Sequence, residues 1–178
     1  MDFTFEEQQV AFRDAVRKFL MVEAAPELLR EIWETESGRS RELRAKLADQ
    51  GLTALSVPEE FGGIGLGDLD WVLINQELGY YAIPDSLSDT AYLAAWLLNR
   101  LSSDVSLKKK WLPKIASGAA RIAVGHPVNP FVADAQLADL LLLWRDDEVH
   151  AVPREQVKLG FNPSIEMSRR LYQVEWTP

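Results

Sequence analysis

Phe5, Phe12, Val16, Phe19 and Leu20 recur at helical spacing, with Arg13, Asp14, Arg17 and Lys18 off that stripe. The pattern predicts an amphipathic first helix, and Thr4 with Glu7 stands at capping-box spacing ahead of it. Pro26 can open a second helix, and residues 34–40 are polar enough for a loop. The helical pattern returns over 41–50 through Leu43 and Leu47, with Gly51 placed to end it. A glycine-dense turn follows between Ser56 and Gly67. Beyond it, Asp68 can cap a helix with Leu69, Val72, Leu73 and Gln76 on one side and Gly79 at its close. After Tyr80, Tyr81 and Pro84, residues 90–101 are apolar nearly all round. Leu93, Trp96, Leu97 and Leu101 form a stripe that Ala91, Ala94 and Ala95 widen, which predicts a helix central in a bundle. Ser103 and Asp104 can cap a last helix with Leu107 and Trp111 inward, and Pro113 is expected to break or restart it before Gly118.

From Arg121 the period changes. Residues 138–145 hold a continuous apolar run from Leu140 to Trp144, Asp146-Asp147 is turn chemistry, and Val149 to Val152 reads as a return strand. Residues 170–176 alternate, with Tyr172, Val174 and Trp176 on one face and Gln173 and Glu175 on the other. The expected class is therefore α+β: a helical domain over residues 1–120 followed by a partial, β-rich domain over 121–178. The second piece is expected to be too short to bury both faces of a sheet.

Composition narrows the function classes. Hydrophobic residues make up 47% of the 178, with six Trp and seven Phe, enough for a core. The net charge of −8 argues against nucleic acid or an anionic membrane as the main partner. The one basic run, Lys108-Lys109-Lys110, reads as a solvated helix face. With no cysteine there is no disulfide, thiolate metal site or cysteine nucleophile. The acidic amino terminus lacks a signal-peptide plan, and no apolar run approaches a membrane span, so a soluble cytoplasmic protein is expected.

Candidate chemistry is sparse. The glycine turn lacks the Gly-Lys-Ser/Thr ending of a P-loop, and no strand precedes it in a βαβ unit, which favours a helix-to-helix turn over a phosphate cradle. Glu59-Glu60 could form an acid/base pair, but neighbours in an irregular segment usually point apart and face solvent. His150 lies in an expected strand with no second ligand at metal spacing, so no metal site is expected. His126 stands between Gly125 and Pro127 at the helical-to-β junction, an unusual placement for a lone histidine. No catalytic constellation is visible by spacing.

The chain resembles the acyl-CoA dehydrogenase family over nearly its whole length. The resemblance is carried by residues 3–8 with Phe12, Arg17 and Phe19, and most strongly by Leu47 to Leu52 running into Val57-Pro58-Glu59-Glu60-Phe61-Gly62-Gly63-Ile64-Gly65. Glu77-Leu78-Gly79, Trp111 to Gly118 and Ala138 to Leu142 continue it. It implies a helical amino-terminal domain, a middle β domain and a carboxy-terminal four-helix domain, with FAD and an acyl-CoA thioester bound. A carboxylate then removes the α-proton while the β-hydride moves to flavin N5.

Three departures qualify that expectation. Where the family has a Thr/Ser-Glu-Pro motif against the flavin, this chain reads Val124-Gly125-His126-Pro127. Val124, Gly125 and His126 are thus the candidate cofactor-binding residues, with Gly125 where a hydroxyl would stand. The following Ala-Gly-Ser-Asp and Trp-x-Thr/Ser elements are missing, and the chain ends before the carboxy-terminal domain that usually supplies the catalytic carboxylate. No catalytic residue is assigned. The resemblance implies a subunit of an acyl-CoA dehydrogenase, most like the short subunits of heteromeric bacterial enzymes, in which a partner subunit holds most of the FAD. The resemblance implies an acyl-CoA substrate, with a steroid side-chain ester among the candidates, and Tyr80–Asp89 and Leu93–Leu101 near the acyl pocket. The alternative is a helical interaction module with no cofactor role.

Overall fold

A computed structural model describes residues 4–100 and 104–177, so the expectations placed on Leu101 and Ser103 lie outside the described residues. Helix α1 (Glu7–Glu23) starts two residues later than a Thr4 cap would place it. Glu6 is its cap, and its N–H donates to Gln9 Oε1 at 3.1 Å, so the reciprocal contact falls on the Glu6/Gln9 pair and not on Thr4/Glu7. Val16 and Leu20 of α1 pack on α4 (Asp68–Tyr80) through Trp71, Ile74 and Leu78. Helices α2 (Pro26–Glu34) and α3 (Arg41–Asp49) close this core with Ile32, Leu43 and Leu47.

Helix α4 buries a different face from the side drawn through Leu69, Val72, Leu73 and Gln76, of which only Leu73 is inside. Trp71, Leu73, Ile74, Glu77 and Leu78 are inside, whereas Leu69 is 63% and Val72 54% exposed and Gln76 faces out. The reason is Glu77. Its carboxylate is buried but receives both Nε (2.9 Å) and Nη2 (2.7 Å) of Arg17, so a charged residue occupies an inward position. Gly67 is the α4 cap, with its N–H donating to Asp70, and the helix runs one residue past Gly79.

Residues Asp89–Ala94 form a turn of π-helix that passes into α5 (Ala95–Arg100). Thr90, Ala91, Ala94, Ala95 and Leu98 point inward, while Leu93 and Trp96 are exposed, the reverse of the expected stripe. Small side chains let this segment approach the sheet closely. Asp104 caps α6 (Val105–Ala116), accepting from the Ser106 and Leu107 amides at 2.9 and 3.2 Å. Pro113 does not break α6. It stands on the exposed face, as does Lys109, whose carbonyl it leaves without a helical donor.

Two three-stranded sheets follow. One has the order β1 (Ile122–Gly125), β3 (Leu140–Arg145), β4 (Glu148–Pro153), with β1 parallel to β3 and the β3–β4 hairpin antiparallel. Asp146 and Asp147 take φ of 49° and 64°, the turn geometry whose twist suits a two-residue hairpin. The other sheet is antiparallel, in the order β2 (Val132–Ala133), β6 (Leu171–Glu175), β5 (Lys158–Asn162). Strand β3 is buried on both faces, contrary to the expectation from length. Leu140 and Leu142 meet the helices through Leu98, Leu112 and Ile115, and Leu141 and Leu143 meet the second sheet through Val132, with Val157 just ahead of β5 in the same cluster. The helical part therefore supplies the cover that the short β segment lacks.

The outer edge of β1 is closed by one hydroxyl. Thr90 Oγ1 donates to Ile122 O and accepts from Ile122 N, each at 3.1 Å and both buried. An isosteric Thr90→Val leaves that buried pair unsatisfied and is expected to cost about 2 kcal/mol, read as a lowered denaturation midpoint with unchanged slope.

Candidate functional site

Val124, Gly125 and His126 lie together at the carboxyl end of β1. The peptide groups of Ile122 face Thr90, so strand alternation turns the Val124 N–H and C=O towards the same outer edge, past the reach of that hydroxyl. Gly125 is buried, and a Cβ there would stand 2.8 Å from both Leu143 and Val132 side chains. The close approach that its glycine permits is therefore to the protein's own core. His126 is exposed. Its Nδ1 accepts from Val128 N at 3.2 Å, its carbonyl accepts from Asn129 N, and its ring packs against Trp144 at 5.3 Å. Trp176 completes the wall, held by Arg145 at 4.5 Å and by the His150 ring at 5.1 Å. The remaining cavity beside these residues is about 160 Å³, lined by Gly125, His126, Leu143, Trp144, Val174 and Trp176.

The glycine turn is no phosphate cradle. Its amides are spent on the chain itself: Gly63 N donates to Pro58 O, Ile64 N to Ala54 O, Gly65 N to Val57 O and Leu66 N to Leu55 O. Glu59 and Glu60 face solvent, and His150 contacts Trp176. Along α6, Lys109 and Lys110 are exposed, and Lys110 also lies over the Trp111 ring.

What the sequence did not suggest is an ion network between the helices and the sheets. Arg44 Nη1 stands 2.5 Å from Asp85 Oδ1, and Arg121 Nη1 stands 2.9 Å from Asp85 Oδ2, with all three side chains largely buried. Arg44 also donates to Ala120 O. Arg39 donates through Nε to Asp134 Oδ2 at 2.7 Å and through Nη1 to Ser168 O. Asp134 holds φ 54°, in the left-handed region, so a strained residue anchors that pair. Arg44 follows Leu43 and precedes Leu47 on the buried face of α3, and a charged residue at an inward helical position was the available signal.

Asp89 faces this network across a cleft of about 290 Å³ that Arg169 and Arg170 also line. Burial, then the neighbouring Asp134 carboxylate, push its pKa up, against the pull of Arg169 and Arg39; Asp85 adds a further upward push. A carboxyl whose pKa is raised on folding favours the folded state at low pH, and that advantage is lost as pH rises through the raised value. Asp89→Asn is therefore expected to gain stability relative to the parent as pH climbs from the ordinary Asp range upward. Denaturation midpoints measured across that range check the sign.

The helical bundle and the two small sheets packed on it define an α+β scaffold whose β1 end is closed by its own aromatic rings. The profile described as "Acyl-CoA dehydrogenase, N-terminal domain" matches residues 6–119, and the chain belongs to this family. A relative from Mycolicibacterium smegmatis, acyl-CoA dehydrogenase IpdE2, is 30% identical over 177 residues, covering 94% of this chain and 51% of the relative. Among solved structures, the ChsE4-ChsE5 complex from Mycobacterium tuberculosis superposes with a TM-score of 0.85 at 24% identity, covering 99% of this chain and 55% of that one. The Tcur3481-Tcur3483 steroid ACAD variant gives 0.82 at 18%, covering 96% and 55%. At these identities the superpositions show the fold. The chain spans about half the length of the relatives it matches. No helix among the described residues is long and apolar enough to cross a membrane.

Members of this family use FAD, and an acyl-CoA dehydrogenase from Bacillus anthracis complexed with FAD shares the fold at a TM-score of 0.73 and 20% identity, covering 96% of this chain and 36% of that one. The residues present do not fit the whole group. A cavity of about 160 Å³ is well under the several hundred Å³ of an ordinary small-molecule pocket. Trp144 and Trp176 fill the space beside Gly125, and strand alternation turns the Val124 peptide to the outer edge of β1.

Proposed function

We propose that this chain is one subunit of a heteromeric acyl-CoA dehydrogenase, with residues 1–120 as its helical domain and 121–178 as a reduced β domain. The assembled enzyme carries out FAD-dependent α,β-desaturation of an acyl-CoA thioester, with a steroid side-chain ester as the favoured substrate class. A partner acyl-CoA dehydrogenase subunit holds most of the FAD, and this chain is the degenerate member. Val124, Gly125 and His126 contribute an edge contact, and no residue here is assigned a catalytic role.

The single observation that carries this reading is the β1 end: the position that should open on a flavin is filled by the chain's own Trp144, Trp176 and His126 rings. The steroid class is supported by the fold shared with the variant described as a steroid ACAD. Expressed alone, the chain is expected to purify colourless. Co-expressed with a second acyl-CoA dehydrogenase subunit, it is expected to form a yellow complex that turns over acyl-CoA. Stoichiometric flavin on this chain by itself would sink the degenerate-partner role. The second reading, an interaction module without turnover, draws on the exposed Leu69, Val72 and Tyr80 of α4. It predicts a complex that binds and never oxidises acyl-CoA.

A further inference from the structure

A groove of about 530 Å³ runs between α3 and the segment joining α6 to β1, and four arginines line it in a chain whose net charge is −8. Arg39 is neutralised by Asp134. Arg44 and Arg121, both largely buried, share the single carboxylate of Asp85. Asp139 stands at the rim and accepts the Arg121 amide at 2.8 Å, and Arg41 is exposed at the mouth. These groups leave one positive charge over, concentrated where little water reaches. Arg44 Nε is buried and makes no hydrogen bond among the described residues, whereas Arg121 Nη1 is held by Asp85. Burial, and then Arg121 beside it, hold the Arg44 pKa below the usual guanidinium range despite Asp85. The α3 amino terminus adds nothing to this charge, because Ser40 and the Glu42 carboxylate already serve it.

We propose that this groove binds the phosphate oxyanion of a small phosphorylated ligand between Arg41 and Arg121, over the excess charge of Arg44. Guanidinium forks match tetrahedral oxyanions by paired hydrogen bonds. The volume exceeds that of a lone phosphate and lies in the range of small-molecule pockets, so the rest of the ligand rests along Ala45. The site is separate from the β1 end, and its test is independent of whether the chain is a dehydrogenase subunit.

The test is isothermal titration of the full chain with inorganic phosphate, pyrophosphate, AMP and, as a carboxylate control, citrate. Binding of the phosphate compounds at submillimolar Kd is expected, weakened about tenfold by Arg41→Ser and likewise by Ala45→Glu, which places a carboxylate in the groove. Both positions are exposed, so circular dichroism should show each variant folded. AMP binding more tightly than inorganic phosphate assigns a nucleotide-like ligand, and equal binding assigns free phosphate; either supports the site. Absence of binding at millimolar concentration, binding unmoved by both variants, or citrate binding as well as phosphate overturns it.

Discussion

Replacing Gly63 by alanine is expected to prevent stable folding, with a loss of more than about 4 kcal/mol, at the extreme of single substitutions. A Cβ at Gly63 would lie 1.8 Å from Val57 O and 2.3 Å from Val57 C, so the obstacle is backbone that cannot swing aside. The turn would have to leave Ala54–Pro58, giving up the four backbone hydrogen bonds that fold it there, next to the buried Leu52, Leu55 and Val57. Gly62 and Gly65 are the controls. Their φ values are 82° and 73° with open space around them, so alanine there meets only the left-handed backbone penalty of about 1–2 kcal/mol. Urea denaturation of the three variants separates the two causes. A Gly63→Ala chain as stable as Gly65→Ala would show that the turn does not pack back on Val57.

Asp85→Asn is the second large effect. It keeps the shape but leaves the guanidiniums of Arg44 and Arg121 buried without a counter-charge, and breaking such a pair costs about 3–5 kcal/mol. The three residues come from α3, the connection after α4, and the entry to β1, so the loss should fall on the packing of helices against sheet. Adding Arg121→Leu to Asp85→Asn removes one of the two stranded charges and should restore part of the lost midpoint, an interaction visible only in the double variant. A loss under about 1 kcal/mol for Asp85→Asn would mean that solvent screens this network as it screens surface pairs.

Local pattern made some of this readable. The β3–β4 hairpin and the alternating β6 strand were legible because a two-residue aspartate turn and a period of two report strand geometry directly. The first helix and the Asp104 cap were legible because helical spacing and a carboxylate ahead of a helix are likewise local signals. The inward face of α4 was not, because Glu77 is buried only where Arg17, 60 residues away, can satisfy it. The outward turn of Leu93 and Trp96 was equally hidden. Apolar character predicts burial, but it does not say that alanines must face a neighbour that comes close. Sequence named Val124, Gly125 and His126 as candidates, and had no means of placing Trp144 and Trp176 across from them.

By itself, the sequence determined the family, through the phrase from Val57 to Gly65, and with it the scaffold: Gly62 and Gly65 take positive φ at little cost, and at Gly63 the Val57 backbone leaves no room for a Cβ. Only the tertiary structure decided that the β1 end is filled from within and that Arg39, Arg44 and Arg121 are gathered at one junction. Those outcomes depend on side chains distant in the chain meeting in a low-dielectric interior, where pairing and packing, rather than local spacing, set the energy.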